Sequence, residues 1–299
     1  MDEFGTMTPV TVLEVIQKSG EFLERKGVES PRLQIELLLE HVLGLPRLEL
    51  YLNFERPVTE KETEVLRECV RRRGSREPLQ HIIGTTSFCG LEIKAGPEAL
   101  VPRPETELLA ELAWKRLWKL NEASEADSPT VLEIGVGTGC ISLAIAANTP
   151  RGRVTGVDCS AEALALAREN TAAHNLQNRV SLLESDGFSG LPDGMEFDLI
   201  VSNPPYIPSA EIETLAPEVR DHDPRTALDG GEDGLDLFRA LAEHGAIWLR
   251  PTGAMMLEFG DGQAAALTEI FTNCGWIVDG IERDLSGRER FIIVSPNPA

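Results

Sequence analysis

At 299 residues, 42% hydrophobic and 26% charged, the chain is too long for one minimal domain and has the ordinary composition of a large domain with a small companion. No apolar run is long enough to cross a bilayer, MDEFGTMTPV lacks the basic and apolar segments of a secretory leader, and the cysteines Cys69, Cys89, Cys140, Cys159 and Cys274 form no C-x-x-C pair; the expectation is a cytoplasmic protein without a disulfide framework or a cysteine-rich metal site. The formal net charge is −21, of which −3 falls on residues 1–90 (12 basic, 15 acidic) and −18 on the rest (16 basic, 34 acidic), which disfavours tight, nonspecific nucleic-acid binding because phosphate neutralisation needs clustered Lys and Arg.

Residues 1–84 read as a helical bundle. Thr8-Pro9 fits an N-cap followed by a first helical position, and Val12, Val15, Ile16, Phe22 and Leu23 follow at helical spacing. Ser30-Pro31 repeats the start signal, Ile35, Leu38, Leu39 and Val42 make the next stripe, and Gly44 stops it. Thr59 with Glu62 fits a capping box for a helix through Leu66, Cys69 and Val70 to Gly74. Arg71, Arg72 and Arg73 then lie in its last turn, where cations oppose the helix dipole on an expected solvated face.

TTSFCGLEIKA, opening the stretch 85–100, changes to β-formers around Gly90 and predicts a hairpin linking two domains. Residues 101–299 form the larger one. A helix opens at Pro104 with Leu108, Leu109, Leu112 and Leu117 on one side, and NEASEADSP (121–129) reads as a loop. Strands are then expected at 131–136, 153–158, 179–186, 197–203 and 254–259, and helices at 140–148, 161–175, 235–248 and 263–273. WIVDGIERDL and RERFIIVSP close the chain as an antiparallel pair. Apolar strands alternating with helices argue for a doubly wound α/β sheet covered on both faces.

Two motifs sit where such a sheet binds ligands, beyond the carboxyl ends of its strands. The first strand runs into Gly135-Val136-Gly137-Thr138-Gly139, where glycines allow a sharp turn and close approach of backbone amides to a ligand. The next strand ends at Asp158, placed to take both hydroxyls of a ribose. The third glycine comes one residue earlier than in the dinucleotide fingerprint G-x-G-x-x-G, which disfavours an NAD oxidoreductase. E-x-G-x-G-x-G is the spacing typical of S-adenosylmethionine (SAM) methyltransferases; Glu133 either meets the ligand or only orders the turn.

The second motif is Asn203-Pro204-Pro205-Tyr206 at the end of the fourth strand. Two prolines fix φ and restrict the residues before them, so the Asn203 side chain and the Pro204 carbonyl are held rigidly. Both present acceptor oxygens, which suits a planar NH2 group with two hydrogens. An amide nitrogen is a poor nucleophile, and two preset acceptors stabilise the positive charge that grows on it during attack, while Tyr206 walls the pocket. Alignment for an in-line transfer is then the main task. His41, His81, His174, His222 and His244 are dispersed without metal-ligand spacing, so no metal is expected.

These motifs, with Leu79-Gln80-His81-Ile82-Ile83-Gly84, Val101-Pro102-Arg103-Pro104-Glu105-Thr106-Glu107 and Asp223-Pro224-Arg225-Thr226-Ala227-Leu228 leading to Gly230-Gly231, resemble the N5-glutamine methyltransferases of bacterial peptide-chain release factors, the PrmC/HemK family. The resemblance implies an N-terminal helical bundle that recognises the release factor, a hairpin, and a class I SAM-dependent methyltransferase domain. That domain would hold a mostly parallel seven-stranded sheet with an antiparallel last strand. It implies that Gly135, Val136, Gly137, Thr138, Gly139 and Asp158 hold SAM, that Asp186-Gly187-Phe188 flanks the adenine, that Asn203 meets both cofactor and glutamine, and that Pro204, Pro205 and Tyr206 meet the glutamine. Some members carry Trp where this chain has Gly187, which leaves Phe188 as the nearby aromatic. The rival enzyme reading is an N6-adenine-type nucleic-acid methyltransferase, which also presents a planar exocyclic amine; the −18 charge and the absence of a basic recognition region oppose it.

Overall fold

Side-chain caps start two of the helices of the N-terminal half. In the computed structural model, which describes residues 10–123 and 128–297, α1 (Val12–Arg25) starts from Thr11, whose hydroxyl accepts from the Glu14 amide at 3.3 Å. The cap is therefore Thr11 and not Thr8; Thr8-Pro9 itself lies outside the described residues. α2 (Pro31–Leu43) opens on Pro31 and ends at Gly44 with φ 63°. α3 (Arg47–Leu52) and α5 (Leu79–Ile83) are single short turns with too few residues to show a period. α4 (Glu60–Gly74) carries the expected reciprocal capping box of Thr59 and Glu62. Val12, Leu23, Ile35, Leu38, Leu39 and Leu50 are fully buried among these helices.

The chain divides into two compact units. One is the described part of Met1–Gly84 together with Ala216–His222, and the other is Thr85–Leu215 with Asp223–Ala299. The short helix α9 (Pro217–Arg220) thus completes the helical unit through Glu218. Arg73 donates to Glu218 at 2.8 Å, to Gln34 at 2.8 Å and to the Glu77 carbonyl at 3.1 Å. Arg76 grips both Glu218 oxygens at 2.7 and 2.6 Å. The expected solvated face holds for Arg71, which pairs with Glu68 in the open. It fails for Arg73, which is 4% exposed because a carboxylate far along the chain supplies its countercharge.

Burial pushes the Glu218 carboxyl up, but the hydrogen bonds from Arg76 and Arg73 prevail and hold it at about 2. Its folded value lies below its unfolded one, so its stabilisation is full above about pH 4.5 and is lost as pH falls through about 2. Glu218→Gln should cost on the order of 3 kcal/mol at pH 7 by stranding a buried guanidinium. In thermal melts at stepped pH, the gap between parent and variant should close on acidification; a gap independent of pH would rule this pairing out as its source.

In the second unit, β1 (Thr85–Phe88) and β2 (Leu91–Lys94) form the expected hairpin. Its turn residues Cys89 and Gly90 both have positive φ, 49° and 77°, as a tight hairpin turn demands. Phe88 and Ile93 are buried against α6 (Pro104–Ala123). Asn170, itself buried, accepts from the Lys94 amide at 2.8 Å and donates to the carbonyls of Lys94 and Thr138 at 3.1 and 2.9 Å. The hairpin is therefore packed into the second unit and is not a freestanding linker. α6 continues through Ala123, where a loop from residue 121 is expected; residues 124–127 of that loop lie outside the described ones.

The sheet holds β3 (Thr130–Ile134), β4 (Arg153–Asp158), β5 (Val180–Glu184), β6 (Phe197–Ser202), β7 (Leu249–Glu258), β8 (Trp276–Arg283) and β9 (Glu289–Pro296), in the order β5-β4-β3-β6-β7-β9-β8. Neighbours from β5 to β7 are parallel, and β9 runs antiparallel to both of its own. Side chains alternate between faces. Val131, Leu199, Val201 and Met256 meet α6 and α7 (Cys140–Asn148); Leu132, Ile200, Met255 and Leu257 meet α10 (Asp236–His244) and α11 (Ala264–Asn273). α8 (Ala161–Ala173) packs along β4 and β5. The helix expected over 235–248 ends at His244 and passes through a 3-10 turn, Gly245–Trp248; β7 then starts at Leu249, earlier than expected, with a register irregularity opposite Phe197 and Leu199.

Register positions the site. Ile134 is paired with Val157 on one side and Ser202 on the other, and Ser202 with Leu257. The next residue of each strand is Gly135, Asp158, Asn203 and Glu258, so these four lie side by side at the carboxyl edge, where such sheets bind ligands.

Candidate active site

A cavity of about 410 Å³ opens at that edge. Gly135, Val136, Gly137, Thr138, Asp158, Gly187, Asn203 and Pro205 all line it. The loop that makes its floor needs glycine: Gly135, Gly137 and Gly139 have φ of 76°, 51° and 82°, a region L side chains rarely adopt. Gly139 is not in the lining. It caps α7, and a Cβ there would stand 3.3 Å from that of Ala167.

Asp158 is held as a reader of the cavity. One carboxylate oxygen accepts from the Gly137 amide at 2.9 Å and the other from the Ser160 amide at 2.9 Å, so the loop and the carboxylate fix each other. Glu133, 1% exposed, accepts from the Ser142 amide at 2.8 Å and from the Ser142 hydroxyl. Burial pushes its carboxyl up to about 8, against those two hydrogen bonds. Of its two expected roles, the geometry supplies the ordering of the first turn of α7, and Glu133 also borders the cavity.

Gly187 lines the cavity with φ 55° and open space where a Cβ would stand. Phe188 does not join it. Its ring stacks on Trp248 with centroids 5.9 Å apart and planes at 6°, because it packs into the apolar layer under the sheet. The expected adenine-flanking aromatic is thus turned away.

At the reacting end, Asn203 and Pro205 line the cavity, whereas Pro204 and Tyr206, both expected to meet the substrate, are not in its lining: Pro204 is buried and Tyr206 packs against an apolar cluster of the sheet. Asn203 Nδ2 donates to the Thr106 hydroxyl at 3.1 Å, and Thr106 Oγ1 donates to Glu258 Oε2 at 2.8 Å. The Tyr206 hydroxyl stands 3.5 Å from Glu258 Oε1. Burial raises Glu258 to about 7, with Arg290 and the Thr106 hydrogen bond opposing, and burial with Glu258 nearby raises Tyr206 to about 12. Thr106 lies in the 101–107 motif but carries no expected site role there, and Glu258 carries none either. A carboxylate closing the apolar strand AMMLEF was the available signal for Glu258.

The flanking segments brace this motif. Arg103 pairs with Asp223 at 2.6 Å, and the Val101 amide approaches the same carboxylate at 3.4 Å. Ile207 accepts from Gly230 at 2.9 Å and donates to Leu228 at 3.0 Å. A Cβ on Gly230 would fall 2.7 Å from the Pro205 carbonyl oxygen, so only glycine admits this approach. Gln263 donates to the Tyr206 carbonyl at 3.0 Å and accepts from the Gly260 amide at 2.8 Å.

A glycine turn after the first strand of this sheet, an acidic end to the second and Asn-Pro-Pro-Tyr on the fourth define a SAM-dependent methyltransferase of the α/β class. The chain matches the family descriptions "PrmC N-terminal domain" over residues 14–84 and "Methyltransferase small domain" over residues 117–219. It is 43% identical over 285 residues to the release factor glutamine methyltransferase of Geobacter sulfurreducens, spanning 93% of this chain and 96% of that protein. It is 43% identical over 279 residues to the one from Deinococcus radiodurans, with the same two shares. The solved hMettl16 catalytic domain, in complex with a 3′UTR hairpin, shares the fold at 15% identity and a TM-score of 0.52, covering 79% of this chain and 82% of that one. The chain belongs to the release factor glutamine methyltransferase family.

Proposed function

We propose that this enzyme methylates the side-chain amide nitrogen of the glutamine in the Gly-Gly-Gln motif of peptide-chain release factors, in the cytoplasm, with SAM as donor. The cavity fits that donor. Side-chain-free positions at Gly135, Gly137 and Gly187 leave room for its bulk, and Asp158 offers a carboxylate to its ribose hydroxyls. When bound, SAM supplies an electrophilic methyl on a sulfonium. Asn203 and the Pro204 carbonyl take the two N–H groups of the glutamine amide, stabilise the charge that develops on nitrogen, and hold that nitrogen in line. The proton leaves easily once the nitrogen is alkylated, so these residues need no strong base beside them.

One observation carries this reading: Asn203 has its NH2 occupied by Thr106, which leaves its oxygen to accept from a substrate amine. The helical unit, described from residue 10, is the proposed reader of the release factor. The net charge of −21 supports a protein substrate and opposes the N6-adenine alternative and tight nucleic-acid binding. Incubation with labelled SAM and either release factor or DNA tests the choice. The tryptic peptide bearing Gly-Gly-Gln should gain one methyl on glutamine; label on DNA with none on release factor would reverse the assignment.

A further inference from the structure

We propose that Thr106 and Glu258 are positioning residues that decide which end of the Asn203 amide faces the cavity. This rests on the reading of Asn203 as the acceptor for a substrate amide. The two ends of an Asn amide are nearly equal in size and opposite in polarity, so sterics alone do not choose between them. A wrong choice is severe here: an NH2 group facing the substrate NH2 offers it no lone pair.

The choice is made by counting hydrogens. A threonine hydroxyl has one hydrogen to give. Thr106 stands between two partners, Glu258 Oε2 at 2.8 Å and Asn203 Nδ2 at 3.1 Å. Above about pH 7, where the raised Glu258 carboxyl is ionised, it only accepts, so the single Thr106 hydrogen goes to Glu258. The Thr106 oxygen must then accept from Asn203, and only the Nδ2 end can donate. Asn203 Oδ1 is thereby turned to the cavity that Thr106 and Asn203 both line. Thr106 and Glu258 are 3% and 2% exposed, so water is poorly placed to substitute for either partner. The Tyr206 hydroxyl, 3.5 Å from the other Glu258 oxygen, ties the same carboxylate to the Asn-Pro-Pro-Tyr segment. Neither residue has to touch the substrate for this: each acts through Asn203.

Glu258→Gln is the decisive substitution. Its amide can donate to Thr106, which frees the Thr106 hydrogen to meet Asn203 Oδ1 and inverts the Asn203 amide with no loss of volume. Thr106→Val removes the hydroxyl at constant shape, and Thr106→Ser retains it. In the full-length chain, kcat with release factor should fall about 10²-fold in Glu258→Gln and Thr106→Val, with KM and SAM affinity close to those of the parent. Thr106→Ser should recover most of kcat. The Asn203 side-chain amide, followed by ¹H–¹⁵N NMR, should show one slowly exchanging hydrogen in the parent and in Thr106→Ser, and lose it in the other two. A folded Glu258→Gln or Thr106→Val enzyme with near-parental kcat, or with an unchanged Asn203 amide signal, overturns the proposal. A parent that leaves release factor unlabelled defeats the substrate reading instead, and the Asn203 signal then still decides this one.

Discussion

Asn203→Ala should lower kcat about 10³-fold, roughly 4 kcal/mol of barrier, with the fold retained and SAM affinity lowered far less than kcat. The side chain lies at the end of β6 and borders the cavity. Among the described residues its side chain bonds only to Thr106, through Nδ2 at 3.1 Å, so truncation removes one acceptor from the reacting nitrogen and little from the core. The effect belongs in kcat because the stabilised charge exists in the transition state and not in the bound amide. Single-turnover transfer to release factor, alongside calorimetric SAM binding, separates the two quantities. Near-parental turnover would remove Asn203 from the chemistry altogether.

Asp158→Ala should act in the opposite register, weakening SAM binding by about 30-fold, roughly 2 kcal/mol, with kcat at saturating SAM close to that of the parent. Two losses combine. A charged acceptor for the ribose disappears, and the amides of Gly137 and Ser160 lose the carboxylate that holds them. Asp158→Asn distinguishes the contributions, since it keeps an oxygen for one of those amides but removes the charge. Unchanged affinity in the alanine variant would mean that the ribose is held elsewhere.

The sheet was legible because its strands are apolar runs between helices. β4 and α7 match the sequence-based limits, and most other strands fall within a residue or two. The reacting motif was legible because prolines and glycines announce special backbone. What escaped detection depends on partners distant in sequence. Thr106 and Glu258 are 152 residues apart, and no local pattern in either segment marks their meeting. Arg73 reads as a solvated cation until Glu218, 145 residues on, is seen beside it. The resemblance puts the segment Asp186-Gly187-Phe188 beside the adenine, but the direction of the Phe188 ring is set by packing, and Trp248 offers it a stacked face. The Thr11 cap was missed because Thr8-Pro9 gives the same local signal slightly upstream.

The stitching of Ala216–His222 into the helical unit has a consequence for biosynthesis. On a nascent chain, α1 to α5 emerge first, yet Arg73 reaches its carboxylate partner only after most of the sheet's strands have been translated. Vectorial synthesis therefore delivers an N-terminal bundle whose last ion pair is postponed, and a protease present during elongation should find that bundle easier to cut than one in the finished protein.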